Sequence, residues 1–329
     1  MNCLIWFLYL TMNPENTLSL EITRRDAIKL ALVAVLTTGL GRFGREIART
    51  TEYDPSSPNI SIFSLQAAVA RPITLVHLAD THFSTDAHVN ATTLTSAIEK
   101  INTHLNTLHD DRANRYLLLT GDQANHGIRE TPENTTVSEM EEFFEIVATV
   151  DCPTRIAAYG NHEIRNPNFR FFVKTTNKYC IAPQHADEIV VFDDDCARFV
   201  IAPDFTSHSQ WYHSRDNILA LRDCVNGGIS LIHNAMPTDP NLLGDLFENG
   251  LFFSGHAHGG HVAGEDPLSR YARQQTLRSI GYYSPLINGI YQVGSNLNIV
   301  SPGIGSHPSN PFRSVRAECN IFRLHPFQA

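Results

Sequence analysis

A chain of 329 residues holds one large domain or two small ones, and 42% hydrophobic with 18% charged residues suits a packed core rather than disorder. A formal charge of −9 argues against the basic stripe with which a general nucleic-acid binder meets phosphates, so no nucleic-acid partner is expected. A small phosphorylated substrate stays open, because a bound metal reverses the sign of charge locally.

The first 70 residues read differently from the rest. Arg24, Arg25 and Lys29 precede the mildly apolar run from Leu30 to Leu40, a basic n-region and an h-region of signal-peptide length, short for a membrane span. Thr23-Arg24-Arg25-Asp26-Ala27-Ile28-Lys29 resembles a twin-arginine export motif, with Ala27 where Phe is usual. An ordinary amphipathic helix with a basic start is the alternative. The apolar run 3–10 has no basic residue before it, and Met12 as the start would set the arginine pair at normal signal-peptide depth. Ala68-Val69-Ala70 has the small-x-small pattern of a cleavage site but comes about 28 residues after Leu40, so retention as an anchor is the competing expectation. These features place the protein in a bacterial envelope, exported or membrane-associated, with the cytoplasmic membrane face as the alternative. Residues 1–70 are read as signal or anchor plus linker, with Pro55-Ser56-Ser57-Pro58 marking the break, and 71–329 as the folded domain.

From Arg71 onward, apolar runs, polar clusters and helical stretches alternate. Residues 73–78 form a buried-strand candidate that runs into Asp80-Thr81-His82. Leu94, Ile98, Ile101, Leu105 and Leu108 have helical spacing over 91–108. A second strand, 116–119, runs into Gly121-Asp122; a helix over 137–149 follows, then a third strand, 155–159, ending at Gly160-Asn161-His162-Glu163. Residues 189–192 and 199–202 read as a hairpin around Asp193-Asp194-Asp195. A helix over 214–225 leads to strand 229–232 and His233, and a helix near 240–248 leads to strand 251–253 and Gly255-His256-Ala257-His258. Residues 289–323 read as further strands. The alternation followed by strands indicates an α/β domain with layered sheets.

Cys3, Cys152, Cys180, Cys196, Cys224 and Cys319 form no Cys-x-x-Cys pair, so they read as scattered small hydrophobes rather than a zinc knuckle. A Cys180–Cys196 disulfide is compatible with an oxidising compartment but is not fixed by sequence.

The strand ends carry the chemistry. Asp80 and His82, Asp122, Asn161 and His162, His233, and His256 and His258 each stand directly after a strand candidate. In α/β sheets, ligands gather in the crevice outside the carboxyl ends of the strands. A lone histidine there is usually a satisfied or surface residue. Five strand ends agreeing in order are a metal-site signal.

Asp80-x-His82, Gly121-Asp122 with Asn125, Gly160-Asn161-His162-Glu163, His233 and Gly255-His256-x-His258 together resemble the five signature blocks of the calcineurin-like metallophosphoesterase superfamily, over roughly residues 73–323. The resemblance implies a four-layer αββα sandwich, two mixed β-sheets flanked by helices, with a dinuclear metal centre. It implies that Asp80, His82, Asp122 and His258 hold one divalent ion, and that Asp122 bridges to a second held by Asn161, His233 and His256. His162 would act near the substrate phosphoryl group as acid or charge stabiliser, and Asn125 would orient a ligand. Two such ions can bridge a hydroxide and clamp a phosphoryl group for in-line attack. The donor set suits Mn, Zn or Fe.

Gly259-Gly260, Tyr291-Gln292-Val293-Gly294 and Val300-Ser301-Pro302-Gly303-Ile304-Gly305 resemble the bacterial exported or membrane-associated subgroup. Ala257, His261 and Pro302 depart from its usual pattern, whereas Pro311-Phe312-Arg313 keeps its end. His126 stands where Ser/Thr protein phosphatases carry Arg, which counts against that branch. The expected function is hydrolysis of a phosphomonoester, phosphodiester or pyrophosphate, with an envelope lipid or nucleotide-sugar lipid as natural substrate. The competing expectation is a non-catalytic metal-binding scaffold with the same fold. His261, where relatives carry Gln, marks the rim position expected to report on substrate choice.

Overall fold

The computed structural model describes residues 58–84, 89, 91–124, 128–130, 136–204, 215–234, 247, 249–257, 273–275, 277, 286–305 and 317–327. In chain order its elements are β1 (Asn59–Ala67), β2 (Ile73–Leu78), α1 (Ala91–Thr107), β3 (Arg115–Thr120), β4 (Ile128–Glu130), β5 (Thr136–Ser138), α2 (Glu139–Val147), β6 (Thr154–Ala158), α3 (Asn161–Ile164) and α4 (Phe169–Tyr179). There follow β7 (Val190–Asp193), β8 (Arg198–Ile201), α5 (Arg215–Val225), β9 (Ile229–Asn234), β10 (Leu251–Gly255), β11 (Gly289–Val293), β12 (Asn296–Val300) and β13 (Glu318–Pro326).

Two mixed sheets carry the domain. One has five strands in the order β1-β13-β2-β3-β6, the other six in the order β11-β12-β10-β9-β8-β7. Strands β2, β3 and β6 run parallel, as do β8, β9, β10 and β12, so within each sheet their carboxyl ends share one edge. Continuous apolar runs at β2, β3, β9 and β10 are buried on both faces, which is why they lack alternation.

Side-chain alternation sorts each strand between two cores. Leu75, Leu118 and Phe322 of the first sheet pack against Phe199, Leu231 and Phe253 of the second. On the outer face of the first sheet, Val76, Leu78, Leu117 and Leu119 meet Leu94, Ile98 and Ile101 of α1, Phe143 and Phe144 of α2, and Phe172 of α4. On the outer face of the second, Val200, Ile232 and Phe252 meet Leu221 and Val225 of α5. Helix, sheet, sheet, helix is the four-layer sandwich that the resemblance implies.

The linker expectation fails over 59–67. This stretch is β1, paired in parallel with β13 from Asn59↔Glu318 to Ala67↔Pro326, and Phe63 stacks on Phe322 at 4.9 Å. An edge strand that pairs, among the described residues, with distant β13 alone has no local signature. Helix α4 was not anticipated either. It buries Phe172, Thr175 and Thr176, with Phe169, Val173 and Tyr179 packed against the same core. The helix expected near 240–248 and the N-terminal segment with Arg24 and Arg25 lie outside the described residues. No described helix is long and apolar enough to cross a membrane.

Cys180 and Cys196 are both free thiols rather than a disulfide. Cys196 Sγ accepts a hydrogen bond from Arg71 Nε at 3.0 Å and lies 3.3 Å from Asn114 Oδ1.

Phe253 is fully buried, with Phe322 edge-on at 5.2 Å from the other sheet. Phe253→Ala should cost about 3–5 kcal/mol of stability in chemical denaturation, the range for emptying a buried aromatic site. A loss under about 1 kcal/mol would show that the intersheet space re-closes around it.

Candidate metal centre

The chain turns sharply after β2, β3 and β10. Among the described residues five non-glycine positions have positive φ, and four are expected site residues: Asp80 (45°), His82 (45°), Asp122 (51°) and His256 (63°). Left-handed backbone is disfavoured for side chains with a Cβ and persists only where surroundings enforce it, commonly at functional sites. The enforcing bonds are present. Asp80 N–H donates to Gly121 O at 3.2 Å, His82 N–H to Asp122 O at 2.9 Å and Phe83 N–H to Gln123 O at 2.8 Å, so the loops after β2 and β3 run side by side.

Close approach explains two of the motif glycines. A Cβ on Gly160 would stand 2.2 Å from Asp122 Oδ1, and one on Gly255 would stand 2.0 Å from Asp80 Oδ2. Without side chains there, the carboxylates reach across to backbone donors. His162 N–H donates to Asp122 Oδ1 at 2.9 Å. His256 N–H lies 2.8 and 2.7 Å from the two Asp80 oxygens.

Seven of the eight expected site residues come together. Asp80, His82, Asp122, His233 and His256 are buried, whereas Asn161 and His162 are half-buried. His82 Nε2 is 3.7 Å and His233 Nε2 is 3.3 Å from Asp122 Oδ2. His233 Nε2 is also 3.2 Å from Asn161 Oδ1 and 3.0 Å from His256 Nδ1. The rings of His82 and His162 meet edge to face at 4.6 Å. His258, Asn125 and His261 lie outside the described residues.

These groups form two triplets, His82–Asp122–His162 and Asp122–His233–His256, with the donor atoms of each within 4.8 Å of one another. Donors on one ion at 2.0–2.2 Å stand roughly 3–3.6 Å apart, and several of the measured separations fall in or beside that window. Imidazole nitrogen with carboxylate oxygen suits a divalent transition ion. The residues therefore fit a metal, and Asp122 belongs to both triplets.

The protonation pattern points the same way. Thr120 O can only accept, so His233 Nδ1, 2.8 Å away, carries a proton and Nε2 points inward. There it meets Asp122 Oδ2 and Asn161 Oδ1, acceptors both. Such convergence on a buried carboxylate calls for positive charge, a proton on Nε2 or a cation in its place. Burial alone would lower the His233 pKa, but Asp122, then Asp80 and Asp204, hold it well above the ordinary value. Burial alone would raise the Asp122 carboxyl, but His233, His162 and His82 hold it well below the usual carboxylate range.

Two contributors were given no role in the sequence reading. Glu163, fully buried, gathers four backbone donors: Asp122 N–H (2.9 Å) and Gly160 N–H (2.8 Å) on Oε2, Gln123 N–H (2.7 Å) and Ala124 N–H (3.4 Å) on Oε1. Burial and the nearby Asp122 carboxylate push its carboxyl up to about 7, against the pull of those donors. Gly160-x-x-Glu163 has capping-box spacing, a signal present in the sequence. Asp204, buried just past β8, acts on His233 by charge, and no motif announced it.

The family model described as calcineurin-like phosphoesterase matches residues 73–282. Among curated proteins, none matches the chain significantly. Among solved structures, a phosphopantetheinyl hydrolase from Mycobacterium tuberculosis is similar at 14% identity and a TM-score of 0.33, over 60% of this chain and 87% of that one. A sulfate thiohydrolase from Thermus thermophilus, solved with glycerol, is similar at 10% identity and a TM-score of 0.38, over 71% of this chain and 52% of that one.

Glu163→Gln puts an amide N–H₂ against backbone donors that need an acceptor. It should cost about 2 kcal/mol of stability, the scale of a lost charge-assisted hydrogen bond. Denaturant titration that finds wild-type stability would remove Glu163 as the clamp between the β3 and β6 loops.

Proposed function

Since the chain belongs to the calcineurin-like phosphoesterase family, we propose that it is a phosphoric ester hydrolase working with two divalent cations that share Asp122. The observation that carries this reading is the convergence of His233 Nε2, Asn161 Oδ1 and His256 Nδ1 on the buried Asp122 carboxylate. A buried carboxylate ringed by these groups calls for positive charge, which bound cations would supply. Asp80, His82, Asp122 and His258 would hold one cation; Asp122, Asn161, His233 and His256 the other. Bound there, Mn, Zn or Fe would supply Lewis acidity to a phosphoryl oxygen and lower the pKa of an attacking water.

The protein's own residues divide the remaining work. Asp80 is fixed by the His256 N–H, so the ends of β2 and β10 keep one spacing. Thr120 O sets the His233 tautomer. His162 differs from the other described site histidines in being half-buried, its ring against His82 and its backbone N–H on Asp122. That position suits a group that meets substrate at the mouth and gives a proton to the leaving oxygen, or balances charge on the phosphoryl group.

The substrate class is a phosphomonoester, phosphodiester or pyrophosphate. An envelope lipid or nucleotide-sugar lipid is the natural substrate favoured by the apolar segment after Arg24 and Arg25, which also supports an exported or membrane-associated place in a bacterial envelope.

Purified protein is expected to hydrolyse a bis-aryl phosphodiester, to stop on chelation and to recover with Mn²⁺ or Zn²⁺. His162→Ala should keep its metal and lose about 10²–10⁴ in kcat. Silence of the metal-loaded protein across a broad phosphoester and pyrophosphate panel would overturn the hydrolase reading; unchanged kcat in His162→Ala would overturn the role of His162.

A further inference from the structure

Beneath the metal site, on the intersheet face of β2, sits His77. It follows Leu75 by two residues, shares its face, is fully buried and meets Phe253 edge-on at 5.2 Å. An apolar side chain would fit those surroundings. Burial pushes the imidazole pKa down to about 3, so the ring is neutral at physiological pH. Its Nδ1 has no hydrogen-bond partner among the described residues. Its other nitrogen, Nε2, lies 2.9 Å from Thr120 Oγ1. A buried, half-satisfied imidazole costs stability, so its single bond calls for a reason.

Thr120 supplies one. It is the last residue of β3, and its carbonyl is the group that accepts from His233 Nδ1 at 2.8 Å. The peptide bearing that carbonyl leads into Gly121, at φ 90°. Gly121 is held on its side by the Asp80 N–H on its carbonyl, at 3.2 Å, and the torsion on the other side of the Thr120 carbonyl belongs to Thr120 itself. On that side, β3 pairs with β6 through Thr120↔Ala158, and the hydroxyl is tied to the neighbouring strand β2 by His77.

We propose that His77 is a positioning residue for His233: it anchors the Thr120 side chain, and the Thr120 carbonyl then holds His233 Nε2 toward Asp122, Asn161 and His256. The inference rests on the reading of His233 as a metal-holding residue. It extends the support of that residue one link further, from a backbone carbonyl to a side chain in the core. Groups that orient a metal-holding histidine typically change metal affinity 10–100-fold when removed.

The test is calorimetric titration of the full chain with Mn²⁺, beside thermal unfolding of the same variants. Thr120→Val and His77→Phe should each weaken one of two Mn²⁺ sites about tenfold and leave the other within about twofold. Thr120→Ser, which keeps the hydroxyl, should bind as wild type does. The double variant His77→Phe/Thr120→Val leaves neither polar group unpaired, so its thermal stability should recover relative to the single variants while Mn²⁺ binding stays weakened. A double variant that binds Mn²⁺ as tightly as wild type overturns the positioning role and makes the bond purely structural, and so does a Thr120→Ser as weak as Thr120→Val. If wild type itself binds no Mn²⁺, the metal-dependent reading falls and takes this inference with it.

Discussion

Two carboxylates buried at the carboxyl ends of the strands, Asp80 and Asp122, are the constraint on which the rest of the site depends. They are 0% and 1% exposed, and an anion so placed costs several kcal/mol unless donors or cations meet it. In both cases part of the compensation comes from the opposite sheet, with the His162 N–H adding to it for Asp122 from its own. Asp80, after β2, accepts from the backbone of His256 after β10; Asp122, after β3, faces the imidazole of His233 at the end of β9. The polar end of the sandwich is therefore closed by electrostatics, whereas the remainder is closed by Phe253, Phe322 and their neighbours. Moving either sheet would expose a charge or orphan it.

That closure explains where strain collects. Positive φ at Asp80, His82, Asp122 and His256 is the conformational consequence of turning four side chains back toward one point immediately after their strands end. Glycine at 160 and 255 removes the Cβ atoms that would collide with the two carboxylates. Glu163 binds the loops together from behind, taking donors from residues 122, 123, 124 and 160. The result is a rigid floor of buried histidines with His162, half-buried, at its edge. A phosphoryl group needs such an arrangement, because its transfer is governed by positioning and charge compensation more than by covalent participation.

Much of this was legible in the sequence because the buried parallel strands are short apolar runs and the site residues follow them directly. Residues 73–78 and 229–234 need only a β-rich, apolar stretch and a polar stop to be recognised. Local pattern fails where structure is non-local. β1 depends on β13, at the other end of the domain, so its half-exposed residues 59–67 look like linker. α4 is not such a case: Phe169, Phe172 and Val173 stand at helical spacing and pack on one core, so its signal was present in the sequence. The role of Glu163 was present as capping-box spacing, but the donors it gathers come mainly from a different loop. Thr120 could not be read at all, since a carbonyl that orients His233 leaves no mark on side-chain chemistry.

The central claim is that one carboxylate serves two cations. Metal analysis of purified wild type and Asp122→Asn, by mass spectrometry after exhaustive dialysis, tests it directly. Two divalent ions per chain are expected in wild type, with loss of both in Asp122→Asn. Retention of both ions by a folded Asp122→Asn protein would contradict the claim.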